Sequence, residues 1–249
     1  MIWSTLLALS FSCQQCESVE KPKISSTTHK VFHVKQEDRS VFDESDRYLA
    51  TEAGKTVVLT CEVGGGQEVN WTTPSDSLDQ ERVRRRNNKL TIRNSLYSDT
   101  GGYSCRLISL SKISPLSTDC NHYSRSVGGR LTDTVHLYIR DEQNFFVEPD
   151  HFLQSNVYTE SSSPTRVGCQ ATDPRATFRL ENINMEDITD SLGEAQLAWS
   201  HQTGLWVIRG NLEFHAGVLI CSLSLPGGST RQQRLTINLI KPPDLTPPR

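Results

Sequence analysis

Few residues in this sequence have the types and spacing that chemistry uses. Cys13-Gln14-Gln15-Cys16 has the gap of a redox dithiol. It lies beside an apolar N-terminal run, without the strand–helix–strand setting that tunes such thiols, so no redox site is expected. Seven histidines are scattered along the chain, none in a His-x-x-x-His spacing that also carries a carboxylate. That leaves no zinc-hydrolase pattern. Gly64-Gly65-Gly66 lacks the following helix with Lys-Ser/Thr that a phosphate cradle needs, and no Gly-x-Ser-x-Gly elbow occurs. The expectation is therefore no enzyme, no metal and no cofactor.

Two other groups point to surface chemistry. Arg82-Val83-Arg84-Arg85-Arg86 concentrates guanidinium charge. It reads first as a strand whose Arg82 or Arg84 pairs with Asp99. A second reading is a glycosaminoglycan site using Arg82, Arg84, Arg85 and Arg86, with heparan sulfate as partner. A third is furin-like cleavage after Arg85, which a folded strand would resist. Asn70-Trp71-Thr72 is the only Asn-x-Ser/Thr sequon. Alternation on a strand exposes Asn70 for glycosylation while Trp71 turns inward.

These residues are positioned by the frame around Asp99-Thr100-Gly101-Gly102-Tyr103-Ser104-Cys105. A tyrosine two residues before a cysteine reads as a tyrosine corner, its ring in a core and its hydroxyl bonded back to backbone. Cys61 lies 44 residues upstream and Trp71 ten residues after it. This Cys…Trp…Tyr-x-Cys order is the frame of an immunoglobulin-type β-sandwich. Alternating runs supply the other strands: 56–61 as strand B, 68–71 as C, 89–92 as E and 134–139 as G. The second half repeats the plan with Cys169 and Cys221, strands over 166–169, 177–180, 204–208, 216–221 and 234–240, and a Pro226-Gly227-Gly228 turn. Phe178 falls near the tryptophan slot and Leu219 at the tyrosine position. The matching cysteines of the two halves are 108 and 116 residues apart, a period suited to tandem sandwiches. The fold class is all-β: two tandem immunoglobulin-like β-sandwiches, each with one inter-sheet disulfide, Cys61–Cys105 and Cys169–Cys221. Each disulfide closes a loop worth roughly 4 kcal/mol in the chain-entropy description.

Expected organisation follows. Residues 1–18 read as a signal peptide, cut between 12 and 18, and 19–46 as a disordered lead-in in which Val31-Phe32-His33-Val34 adds an edge strand. The domains are 47–140 and 145–241, and 242–249 is a Pro-rich tail. The seven cysteines point to an oxidising compartment, and the net charge of −3 argues against nucleic acid as partner. No segment is long and apolar enough for a transmembrane helix. A secreted, extracellular protein, or an extracellular fragment of something anchored further on, is expected. A late signal cut leaves Cys120 as the odd thiol, in a polar insertion over 109–130; an early cut leaves Cys13 and Cys16 as well. Intermolecular pairing and a tolerated free thiol both fit Cys120.

Motifs outside the generic frame carry a family resemblance. Phe145-Phe146-Val147-Glu148-Pro149, Cys169-Gln-Ala-Thr172-Asp173-Pro174-Arg-Ala-Thr177-Phe-Arg-Leu180 and Ala198-Trp199-Ser200-His-Gln-Thr-Gly204-Leu-Trp-Val-Ile208 resemble stretches of the first two immunoglobulin domains of the platelet-derived and vascular endothelial growth factor receptors. The resemblance covers about residues 48 to 241. It implies binding of a dimeric cystine-knot growth factor, mostly through domain two and its border with a third domain. The corresponding positions are Phe152 and Leu153, Ile183, and Leu225 with Pro226. With neither third domain, membrane span nor kinase in this chain, the expected role is capture without signalling. The alternative is an adhesion or matrix protein attached through the arginine cluster.

Overall fold

In a computed structural model the chain is described over residues 21–64, 67–74, 81–108, 131–148, 152–158, 164–191, 197–208 and 217–240. The expected signal peptide, Cys13, Cys16, Cys120 with its insertion, and the tail lie outside these residues. The first domain contains β1 (Lys23–Ser26), β2 (Phe32–His33), β3 (Arg47–Glu52), β4 (Val57–Glu62), β5 (Val69–Thr72), β6 (Val83–Arg86), β7 (Lys89–Ile92), β8 (Gly101–Leu107) and β9 (Thr132–Arg140). They form two sheets, in order β1-β4-β7-β6 and β2-β3-β9-β8-β5. Their inner faces bury Leu49, Leu59, Leu90, Ile92, Leu137 and Ile139 around the Cys61–Cys105 disulfide and Trp71. Period-two alternation gives each strand this one apolar face.

The second domain contains β10 (Phe152–Tyr158), β11 (Thr165–Gly168), β12 (Thr177–Asn182), β13 (Leu197–Ser200), β14 (Gly204–Val207), β15 (Gly217–Ser224) and β16 (Thr230–Ile240). Its sheets run β10-β16-β15-β12 and β11-β14-β13. The Cys169–Cys221 disulfide and Leu180, Leu197, Leu205, Leu223 and Leu235 form its core. β3 and β10 each run parallel to the last strand of their domain, β9 and β16. Both domains therefore have the expected sandwich plan and the expected disulfides.

The corner at Asp99 is built as the spacing implies. The Tyr103 hydroxyl donates to the Asp99 carbonyl at 2.7 Å, and its ring is fully buried. Burial, reinforced by the Asp99 carboxylate, pushes the phenol well above its usual pKa. The two glycines of the motif have separate reasons. A Cβ on Gly101 would lie 2.5 Å from Pro74 Cγ, and one on Gly102 would lie 2.2 Å from a Glu44 carboxylate oxygen.

Two expectations are corrected. From Lys23 onward the lead-in assigned to 19–46 is part of the first domain. β1 pairs antiparallel with β4, and Ile24 is 1% exposed in the core. The Ile24 amide donates to Asp133, 109 residues away, at 2.6 Å. A strand with one inward apolar residue shows no alternation to read. In domain two, Leu180 rather than Phe178 fills the tryptophan slot: Leu180 pairs with Cys221 as Trp71 pairs with Cys105. Phe178 instead stacks on Trp199, with centroids 4.5 Å apart.

Asp99 is fully buried and accepts from both terminal nitrogens of Arg82, at 2.9 and 3.1 Å, and from the Leu96 amide at 2.8 Å. Removing one member of a buried pair strands the other's charge, at about 3–5 kcal/mol. Arg82→Ala is therefore expected to cost about 3 kcal/mol in chemical denaturation, against about 0.5 kcal/mol or less for exposed Arg84→Ala. Equal effects at the two positions would show that Asp99 does not depend on Arg82.

Candidate functional site

The arginine cluster occupies β6 and the residue before it, and strand geometry divides its members. Val83 turns into the core, with Leu90 and Ile92 of β7 beside it. Arg82 leads into the strand and is held by Asp99. Arg85 shares the parity of Val83 but sits at the sheet edge, exposed, and donates to the Thr73 hydroxyl at 3.1 Å. Arg84 and Arg86 have the opposite parity and are exposed on the outer face, opposite Thr91 and Lys89. Of the four candidate glycosaminoglycan-binding arginines, the fold brings only Arg84 and Arg86 together on one face. It adds Lys89 and exposed Arg93, whose amide bonds the Arg82 carbonyl at 2.9 Å. The sequence run alone gave no sign of Lys89 and Arg93, because a reversal between β6 and β7 delivers them.

The five candidate ligand-binding residues of domain two do not form one patch. Leu153 and Leu225 are half-buried against the domain's own core. Phe152 opens β10 in register with Arg234, and the same row continues through Ile220 to Glu181. Pro226 is exposed in the β15–β16 turn, beyond the pairing of Thr177 with Ser224. Ile183 follows the other end of β12, where Asn182 pairs with Leu219, so the length of that strand, about 20 Å, separates it from Pro226.

Ile183 stands on an ordered turn. Asn182 Oδ1 accepts from the amides of Asn184 and Glu186 at 2.9 and 3.0 Å, and its Nδ2 donates to Glu186 at 2.6 Å. The Met185 amide bonds the Asn182 carbonyl at 3.0 Å, and Met185 takes φ +62°. Ile183 and Met185 are thereby held outward, 61% and 54% exposed. The resemblance identified Ile183 but not Met185.

A third arrangement joins the domains. Residues 42–45 of the first domain lie against the β13–β14 turn of the second. The Gln202 side chain accepts from the Ser45 amide at 3.0 Å and donates to the Ser45 carbonyl at 2.7 Å, with Gln202 1% exposed. Thr203 Oγ1 donates to the Phe42 carbonyl at 3.1 Å, Ser200 bonds Asp43, and Phe42 stacks on Trp206 at 4.8 Å. Gly204 permits the turn: a Cβ there would lie 2.2 Å from the Gly168 carbonyl oxygen. Glu44 reaches His136, which is fully buried on β9, at 3.2 Å. Burial lowers the pKa of His136 from its usual value, opposed by the hydrogen bond and charge of Glu44 and the charge of Asp43, while Arg166 lowers it further.

Asn70 is exposed on edge strand β5 with Trp71 buried beside it, so the sequon is accessible. Among the described residues no group of His, Cys, Asp and Glu is placed to hold a metal ion. Among them, too, no helix is long and apolar enough to cross a membrane.

The junction is testable in two ways. A double-mutant cycle of Phe42→Ala and Trp206→Ala should give a coupling of about 1 kcal/mol in unfolding measurements, and strict additivity would contradict the stack. The folded-state pKa of His136 lies below its unfolded value of about 6.5. Its contribution is thus full above that value and declines as pH falls from there toward the folded pKa. Stability should therefore drop on acidification through pH 6, and His136→Gln should flatten the slope. Burial shifts His201 and His29 in the same direction, and these leave a residual slope.

Residues 40–109 match the immunoglobulin I-set domain. No curated protein matches the chain. Among solved structures, the chain is similar to the N-terminal four Ig domains of a Dscam1 isoform, at 17% identity, covering 78% of this chain and 50% of that one, with a TM-score of 0.34. Sidekick-1 immunoglobulin domains 1–4 give 16% identity, 88% and 54% coverage and a TM-score of 0.33. Extracellular domains 3–5 of Drosophila OTK give 15%, 77% and 57%, and 0.26. The chain spans about half the length of these solved chains. Nothing in these comparisons singles out the growth factor receptors. The chain is a pair of tandem immunoglobulin-like domains, the first matching the I-set domain.

Proposed function

We propose that the chain is an extracellular, non-catalytic recognition module that captures a protein ligand at the β12 end of its second domain. The observation that supports this is the hydrogen-bonded turn displaying Ile183 and Met185. Pre-ordered apolar side chains lose little entropy on binding and make effective anchors. Phe152 opens β10 in the backbone row that runs across the same sheet to Glu181. Two disulfides and an accessible sequon favour the extracellular compartment. The ligand class favoured by the sequence resemblance is a dimeric cystine-knot growth factor of the platelet-derived or vascular endothelial type, bound by a secreted or ectodomain protein that does not signal. Leu153, Leu225 and Pro226 play a lesser part: the first two face their own core and the third lies at the far end.

A panel of such growth factors passed over the immobilised chain tests the reading. At least one is expected to bind at micromolar concentration or below. Ile183→Asp with Met185→Asp should weaken that binding about tenfold or more at unchanged melting temperature. Absence of binding to every member ends the growth-factor reading, and equal binding by the double variant moves the site off the turn.

A further inference from the structure

The outer face of the β1-β4-β7-β6 sheet carries an excess of positive charge that neither the core nor the domain junction uses. We propose that this face, along its β6 edge, is a binding site for sulfated glycosaminoglycan, formed by Arg84, Arg86, Lys89 and Arg93. Arg84 and Arg86 are two residues apart on β6, about 7 Å along the strand. Lys89 is directly paired with Arg86, about 5 Å away across the ladder. Arg93 lies two residues past Thr91, in the row of Arg82. The four cations thus cover two strands over three rows, about 14 Å in length.

Three observations bear on the occupant. First, among the described residues no carboxylate pairs with any of the four, although the whole chain has a net charge of −3. Like charges facing each other across a ladder destabilise the strand pair, and Arg86 opposite Lys89 is such a pair. The concentration of charge costs the fold and suits an anionic partner. Second, the neighbours on this face are Ser25, Thr60 and Thr91 with half-buried Val58, and beyond Thr60 exposed Glu62 faces its own partner Lys23 across the β1–β4 ladder. They offer no aromatic ring for a nucleic-acid base and no protruding apolar wedge for a membrane. A flat, hydroxyl-lined surface with guanidinium forks fits a sugar chain whose charge lies on projecting sulfates and carboxylates. Third, the disulfides belong to an oxidising compartment, where sulfated polysaccharide is the polyanion at hand. The site is on the first domain and is independent of the ligand end proposed for the second.

The probe is heparin, as an affinity column and as defined oligosaccharides in solution, with the full chain. Wild-type protein should be retained well above physiological ionic strength. Replacing Arg84, Arg86, Lys89 and Arg93 together by Gln should lower affinity at least tenfold and reduce the slope of log affinity against log salt by about one for each cation that engages a sulfate. Lys35→Gln with Arg39→Gln, exposed elsewhere on the domain, should leave both nearly unchanged. Heparin should also shield Lys89 of the wild-type chain from amine acylation, a readout that needs no variant to fold. The proposal is overturned if wild-type protein elutes at about 0.15 M salt, if the quadruple variant and the control behave alike, or if Lys89 is not shielded. Stronger binding to phosphatidylserine vesicles or to DNA than to heparin would overturn it equally.

Discussion

One buried carboxylate sets the order of the first domain. Asp99 holds Arg82 with both oxygens, accepts the Leu96 amide, and lends its own carbonyl to Tyr103. Strand β6 is thereby tied to the turn before β8 across the sandwich. The tie also fixes phase. With Arg82 anchored and Val83 in the core, Arg84 and Arg86 have only the outer face left. A slip of one residue would expose Val83 and push two guanidinium groups inward, which burial forbids. The surface charge that distinguishes this face is therefore a consequence of how the corner is closed.

The two domains solve the same packing problem with different plugs. In the first, Trp71 and Tyr103 flank the disulfide. In the second, Leu180 and Leu219 take those places and leave less volume filled. The deficit is made up from the other sheet: Trp199 of β13 packs on the core, donates from its indole to the Cys169 carbonyl at 3.1 Å, and stacks with Phe178. Cys169 itself takes φ +62° beside a register shift in β11. Moving the large aromatic from one sheet to the other keeps the core dense while altering the domain's surface.

Such differences explain what was legible in the sequence. Strands with inward apolar alternation and cysteine or tyrosine landmarks, such as β4, β7 and β8, could be read directly. So could the choice between Arg82 and Arg84 as partner of Asp99, though not its outcome. β1 and β3 could not, because their stability comes from partners far along the chain: Ile24 with Asp133, and the parallel pairing of β3 with β9. The tryptophan slot of domain two was misassigned by counting, since the extra residue between Cys169 and its opposite strand shifts the count from ten to eleven. Met185, Lys89 and Arg93 join their neighbours only after a turn is made, and spacing in one dimension does not show turns of that kind.

The junction was the least legible part. Tandem domains move relative to one another by default, and specific contacts between them restrict that motion. Here the connection is short, and Asp141 fixes it by accepting the amides of Gln143 and Asn144 at 2.8 and 3.2 Å. The contact itself is made by a segment of the first domain, residues 42–45, pressed between β9 and the β13–β14 turn. A glutamine that satisfies both the amide and the carbonyl of one residue resists sliding, because a shift must break two buried hydrogen bonds. Phe42 on Trp206 adds an apolar lock beside that polar key. Glu44, within that segment, reaches back to His136 of the first domain over the space left by Gly102. The second glycine of the Asp99–Cys105 motif thus leaves room for the side chain of the segment that carries the joint, while the tyrosine and cysteine serve the fold of one domain.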